Sequence, residues 1–434
     1  MANESLGGLR VSDTTVSRET SPWKSNFRTA SQIRIASAVA SFGLLFVLAS
    51  TFRPIITAYM SIGAACELLD KCVFVALLLY PLVVRRSPSC ITVAILLFCL
   101  SVCFSSFING NLNQYVLYSN LRIALLIYYF QVQFERFPRR LLSVTFFVLA
   151  VICLWDILSV ALYPSGLFQD VRYENEFHTV FLKGWVLGLK NNHILWFLSL
   201  NLVSTLLDWS KSASIRPSFR TVLCYAMTIA TTSTMGSSTS TVVLSVLLLL
   251  LCLEPILSRA RHIFNPRNVC VILILAWAFL VLSSSLSILN GFLMDAFGKD
   301  ASFSGRNLAW SETLRMILDS PIVGYGTQSA TQRALMLGSV EYVNAHNQLL
   351  ELLYVGGLPL ACIAAFLPLL VSKPPAGAQV GCAHRMIVCM VFIALGIEML
   401  FEVIMTIPAF WFILLLAHYG CVSMPRGGVS YDRL

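Results

Sequence analysis

The chain has 434 residues, of which 57% are hydrophobic and only 12% charged, with a mean hydropathy of +0.77. A soluble chain carries roughly twice that share of charge, so a soluble globule is excluded, and without strand-length alternation a membrane β-barrel is not supported either. The net charge of +9 is read as topological, with no nucleic acid as partner, because Lys and Arg collect in the cytoplasmic loops of polytopic proteins.

Residues 1–32 are polar and read as a cytoplasmic tail, with no cleavable signal peptide. Apolar runs of helical length then follow at about 33–52, 62–84, 90–108, 114–131, 141–163, 193–208, 219–236, 239–257 and 268–290. Three more stand at about 347–371, 385–404 and 407–422, before a short tail at 423–434. The expected fold is an all-α integral membrane protein of about twelve transmembrane helices. Nine helices fill 33–290, and three fill 347–422. With the N-terminus inside, Arg85, Arg86, Arg136, Arg139, Arg140, Arg216, Arg220, Arg259, Arg267 and Lys373 all fall in inside loops. Both termini are therefore expected in the cytoplasm.

Two outside loops break the charge pattern. The first, about 164–192, holds Arg172, Lys183 and Lys190. The second, about 291–346, lies between the ninth and tenth helices and is expected to be extracytoplasmic. Within it Leu308, Trp310, Leu314, Ile317 and Leu318 recur at helical spacing. Ser304 suits an N-cap and Ser320-Pro321 a stop, so an amphipathic helix is predicted there. Gly324-Tyr325-Gly326 then reads as a tight turn.

The external cations suit a phosphate or pyrophosphate, and equally snorkelling to lipid headgroups. Arg306 stands where a helix start already favours an anion. His346 marks the point of re-entry into the membrane. It can accept a proton from a hydroxyl or simply cap the tenth helix, while Asn347 can bond a sugar or orient that ring. Arg122, Glu351, Glu398 and Glu402 are intramembrane charges, which are costly and usually functional. Glu402 can reach the external site, and a salt bridge from Arg122 to either Glu398 or Glu402 is an equal alternative. The Ser/Thr run from Thr231 to Thr241 offers hydroxyls, or close helix packing. Cysteine usage adds no metal or redox motif, since no CxxC pair occurs among the thirteen.

Three stretches resemble the O-antigen ligase and polysaccharide polymerase family. They are Asp300 to Arg306 with Trp310 and Ser320 to Gly326; Ala345-His346-Asn347 with Leu350, Gly356 and Gly357; and Leu187 to Asn192. The resemblance implies a membrane glycosyltransferase at the outer face of a bacterial plasma (inner) membrane. It would use a polyprenyl-diphosphate-linked oligosaccharide as donor and a glycan as acceptor. It maps catalytic roles onto His346 and Arg306, and diphosphate binding onto Lys190 beside Arg306. Asn191, Lys183, Arg172, Asn347, Tyr325 and Glu402 complete the expected substrate site. An inverting displacement without metal or cofactor is expected, with membrane lipids, a flippase and a chain-length regulator as partners. The leading expectation is a polymerase of lipid-linked repeat units for capsule, exopolysaccharide or O-antigen. Its alternative is an O-antigen ligase, and a transporter or flippase of lipid-linked sugars comes third.

Overall fold

The computed structural model describes residues 38–174, 179–212, 216–260, 262, 264–283, 306–337, 344–375 and 382–420. The two tails and the stretch from 284 to 305, Ser304 included, lie outside the described residues. Two units are distinguished, Met1–Gly43 and Leu44–Leu434. Of the first, only the beginning of one helix is described.

The described chain is nearly all helical. In order come α1 (Ala38–Thr51), α2 (Gly63–Val84), α3 (Cys90–Ile108), α4 (Gln114–Arg136) and α5 (Pro138–Leu162). They are followed by α6 (Ile194–Ser212), α7 (Phe219–Thr234), α8 (Ser238–Cys252), the single turn α9 (Glu254–Leu257) and α10 (Pro266–Ser283). The last five are α11 (Arg306–Asp319), α12 (Ala330–Leu337), α13 (Gln348–Ser372), α14 (Cys382–Phe401) and α15 (Pro408–Tyr419).

Four helices, α3, α5, α13 and α14, are long and apolar enough to cross a membrane. Five more, α1, α6, α8, α10 and α15, are apolar over shorter lengths. Helices α2 and α4 have the length but carry Glu67, Asp70, Lys71 and Arg122. Large apolar side chains on the outside, among them Leu82, Phe104, Phe147, Leu162 and Ile274, face away from the bundle. Such a band marks a lipid-facing surface, and the chain is a multi-pass membrane protein. Helix α15 is the opposite case. Every residue from Ala409 to Tyr419 is buried, and α6 is buried along Ile194–Leu207. Helices apolar on all sides sit in the centre of a bundle, and these two form that centre.

The expectation of an all-α chain needs one correction. The loop after α5 forms a three-stranded antiparallel sheet of β1 (Phe168–Glu174), β2 (Thr179–Trp185) and β3 (Gly188–Leu189). Only two residues join β2 to β3, and Gly188 holds a positive φ of 109° there. A Cβ at Gly188 would stand 2.5 Å from the Ile55 side chain, so only glycine lets the strand approach the turn after α1. A buried pair fixes the same loop. Asp156 on α5 accepts the Leu187 N–H at 3.0 Å and stands 2.8 Å from His193 Nδ1, while His193 Nε2 donates to the Gly188 carbonyl at 3.1 Å. Both side chains are fully buried.

Helix α11 lies where the spacing predicts it, but with a shifted apolar face. Ala309, Trp310, Thr313, Met316 and Ile317 are buried, whereas Leu318 is 79% exposed. Helix α13 is broken at Gly357, whose φ of 62° and ψ of −159° only glycine readily adopts. The break frees backbone groups, and the segment after α11 takes them. Tyr325 N–H donates to Tyr354 O at 2.8 Å, Gly326 N–H to Val355 O at 2.9 Å, and Leu358 N–H to Pro321 O at 2.9 Å. Ser105 on α3 donates to Val323 O and Val355 O as well. A Cβ on Gly324 would lie 2.6 Å from Tyr354 O. The Ser320–Gly326 stretch is therefore the plug that fills a broken helix.

Candidate functional site

The segment leading into α13 places His346. Its backbone is left-handed, with φ 44°, a conformation that costs a non-glycine residue roughly 1–2 kcal/mol. Neighbouring contacts hold it there. The His346 N–H donates to Asn344 Oδ1 at 2.8 Å, and the Ala345 N–H donates to Glu351 Oε2 at 3.0 Å. Glu351 in turn receives Arg333 of α12 through both guanidinium nitrogens, at 2.5 and 2.7 Å. That guanidinium also stacks 4.1 Å above the Tyr354 ring.

Asn347 begins α13. Its Oδ1 accepts the N–H groups of Leu349 and Leu350, both at 3.2 Å, and Trp277 Nε1 at 2.9 Å. Its Nδ2 donates to Leu400 O at 3.1 Å, and the side chain is fully buried. The cap therefore falls to Asn347, whose bonds serve the fold, and the His346 ring is left for other work.

That ring meets Glu402. His346 Nδ1 stands 3.7 Å from Glu402 Oε2, beyond hydrogen-bond length but within reach of a small adjustment, and it holds no hydrogen bond of its own. A quarter of the histidine side chain remains exposed. Glu402 Oε1 accepts Asn191 Nδ2 at 2.7 Å, and Ser237 Oγ reaches Asn191 Oδ1 at 3.5 Å. Four separate elements thus converge: the turn before α6, the α7–α8 turn, the end of α14 and the start of α13.

Glu402 comes to this place because α14 stops just before it. The irregular stretch from 402 to 407 would strand backbone N–H groups in an apolar interior, at a cost of several kcal/mol each. Gln348 takes two of them, accepting the Ile404 and Met405 N–H groups at 2.8 and 2.9 Å. Trp411 Nε1 caps Met405 O at 2.8 Å. Gln348 stands two residues from His346, so one buried side chain locks the segments that carry His346 and Glu402 together. The sequence reading missed it, as it missed the Asp156–His193 pair.

The expected cations are placed less closely. Lys190 is exposed in the turn between β3 and α6, next to Asn191, and Lys183 is exposed on β2. Arg306 opens α11, but its side chain and that of Arg172 lie outside the described residues. Tyr325 stacks on Tyr354 with ring centroids 5.2 Å apart. Partial burial pushes its phenol up from the ordinary value, so it stays a neutral donor. The alternative of a salt bridge from Arg122 to Glu398 or Glu402 is corrected, since Arg122 turns to Asp70 on α2 instead, 3.5 Å away. Glu398 is buried on α14. Most hydroxyls of the Thr231–Thr241 run bond backbone carbonyls or each other, Thr241 to Thr232 at 3.0 Å and Ser237 to Ser240 at 2.9 Å. They pack α7 against α8, and Ser237 among them reaches the site residues.

Residues 221–365, from α7 into α13, match the family model described as O-antigen ligase. The chain carries an O-antigen ligase-like domain over that stretch. It contains Arg306, Tyr325, His346 and Asn347, while Lys190, Asn191 and Glu402 stand outside it, and of these Asn191 and Glu402 join His346 only through the fold. No curated protein and no solved structure matches the chain.

Proposed function

We propose that this protein is a membrane glycosyltransferase that moves glycan from a polyprenyl-diphosphate carrier to a hydroxyl acceptor. The observation that supports it is the contact chain from Asn191 through Glu402 to His346. A carboxylate beside a histidine orients the ring and stabilises the imidazolium that forms as it takes a proton. His346 is the general base. It accepts the proton of the acceptor hydroxyl as that oxygen attacks the sugar carbon bound to the diphosphate. The carbon–oxygen bond to the carrier breaks on the opposite side, which inverts the configuration. Negative charge grows on the departing diphosphate, and fixed cations stabilise it there. Lys190, beside Asn191, and Arg306, at the N-terminus of α11, are the cations assigned to that task.

The acceptor decides between two reactions. A second carrier-linked repeat unit makes the protein a polymerase of capsule, exopolysaccharide or O-antigen. A finished lipid core makes it a ligase, a reading that the description of the matched family favours equally. Gel profiles of surface glycans from cells lacking the gene separate them. Single repeat units left on the core or carrier mean a polymerase, and full-length polymer stranded on the carrier means a ligase. Rescue by wild type but not by His346→Ala or Arg306→Ala is the expected result. An unchanged profile in the deletion, or full rescue by both variants, would sink the proposal.

A further inference from the structure

A second cationic cluster is built from residues that take no part in the contacts of His346. Arg53 follows α1, Asp70 stands two turns into α2, and Arg122 two turns into α4. Arg53 Nη1 donates to Asp70 Oδ2 at 3.0 Å, and Arg122 Nη2 lies 3.5 Å from Asp70 Oδ1. Ser50 ties them together. Its Oγ donates to Asp70 Oδ1 at 2.6 Å, and both its Oγ and its carbonyl accept Arg122 Nη2 at 2.8 Å. Arg53 Nε donates to Thr57 Oγ1 at 2.8 Å.

Two guanidiniums thus share one carboxylate, and a net positive charge remains. Arg122 Nε and Nη1 and Arg53 Nη2 have no partner among the described residues. The side chains are not sealed off, being 21% exposed for Arg53 and 17% for Arg122. A network that served only the fold would need one Arg for one Asp. A second cation roughly 10 Å along α2 and α4 from their first residues is costly without a counter-ion. The free N–H groups form the forked donors that suit phosphate oxygens. On the same two helices Leu68, Leu117 and Leu121 present exposed apolar side chains. A ligand here needs a phosphate and a hydrocarbon part together.

We propose that Arg53 and Arg122, held by Asp70 and Ser50, bind the phosphate of a membrane lipid, as a site separate from His346. The turn that carries Arg53 leans on the segment that carries Lys190 and Asn191. Ile56 N–H donates to Val186 O at 3.1 Å, and Trp196 Nε1 to Phe52 O at 3.1 Å. The lipid is a second polyprenyl-diphosphate carrier or an anionic phospholipid. If the reading of the reaction given above holds, the first identity supplies a polymerase with a place for its carrier-linked acceptor.

The test is native mass spectrometry of the full chain in detergent, titrated separately with polyprenyl diphosphate and with phosphatidylglycerol. Wild type is expected to carry one more phosphate lipid than the Arg53→Gln/Arg122→Gln double variant, whose affinity falls at least about tenfold. Loss with the polyprenyl lipid alone identifies a carrier site, and loss with both lipids identifies a general phosphate site. Asp70→Asn removes the competing charge and is expected to hold the lipid as tightly or more tightly, a gain that misfolding cannot produce. Unchanged binding in the double variant would overturn the site. So would loss in Asp70→Asn as complete as in the double variant, because the cluster would then be an internal ion-pair network. Lys190→Gln and His346→Ala keep this lipid whatever their effect on the glycan profile, so the two proposals fail separately.

Discussion

At His346 the backbone and the side chain can be tested apart. The left-handed φ of 44° disfavours every side chain, and only glycine escapes it. His346→Gly is therefore expected to unfold later than His346→Ala, by about 1 kcal/mol, in thermal scans of detergent-solubilised protein. Both variants should leave polymer formation at the background seen without the gene. Glycine keeping activity would remove the ring from the chemistry, and equal stability would remove the strain. Glu402→Gln asks a narrower question. It keeps an acceptor for Asn191 Nδ2 and withdraws only the charge beside the imidazole. Product in a single-turnover assay should fall at least about tenfold with expression unchanged, and full activity would make Glu402 a structural residue. His346 and Glu402 were legible because polar residues at the ends of apolar runs stand out, and Asn191 through the resemblance of the Leu187–Asn192 stretch. Gln348 was not. Its partners are the backbone N–H groups of Ile404 and Met405, and a break in α14 has no side-chain signature from which to expect it.

Among the elements, α12 is held to α13 by charge. Its Arg333 reaches Glu351 of α13 as a forked pair, with the Arg333 side chain 5% exposed and that of Glu351 12%. Removing one partner of such a pair leaves an uncompensated charge, at a cost of about 3–5 kcal/mol, whereas removing both is often neutral. Arg333→Met and Glu351→Leu should each lower the unfolding midpoint, and the double variant should recover most of the loss. Additive losses would mean that each side chain acts alone. Glu351 also accepts the Ala345 N–H, so even a stable double variant should work more slowly, by releasing the loop of His346. The helices were readable as elements because apolar length and charge-free runs are strong signals. The sheet was not. Its two longer strands, Phe168–Glu174 and Thr179–Trp185, do not alternate strictly between apolar and polar residues, and its position rests on the buried Asp156–His193 pair. On α11 the spacing placed the helix but assigned Leu318 to the wrong face, because the buried stripe runs through Thr313 and Met316, which the apolar set left out.

Across the whole molecule the question is how many helices cross. Helix α15 has twelve residues, about 18 Å of rise, against about 30 Å of hydrocarbon. Alone it cannot span. Its entry segment, however, is irregular chain whose backbone groups are satisfied inside the protein, Ile404 and Met405 by Gln348 and Met405 O by Trp411. Non-helical backbone is tolerated at membrane depth where protein rather than lipid surrounds it, and α15 is buried along its whole length. The short helices can then be inner staves that never meet lipid across its full thickness. We propose twelve crossings with the basic loops inside, a reading that reporter fusions test directly. Fusions after Arg86, Arg136, Arg216, Arg259, Lys373 and Arg426 should report the cytoplasm. Fusions after Asn111, Gly166, Gly236, Tyr325 and Met405 should report the opposite side. Any two successive fusions on the same side would delete the helix between them. If that helix were α15, His346 and Glu402 would still lie together, but the C-terminal tail would leave the cytoplasm, and the basic residues Arg426 and Arg433 would stand against the charge rule that orders every other short loop.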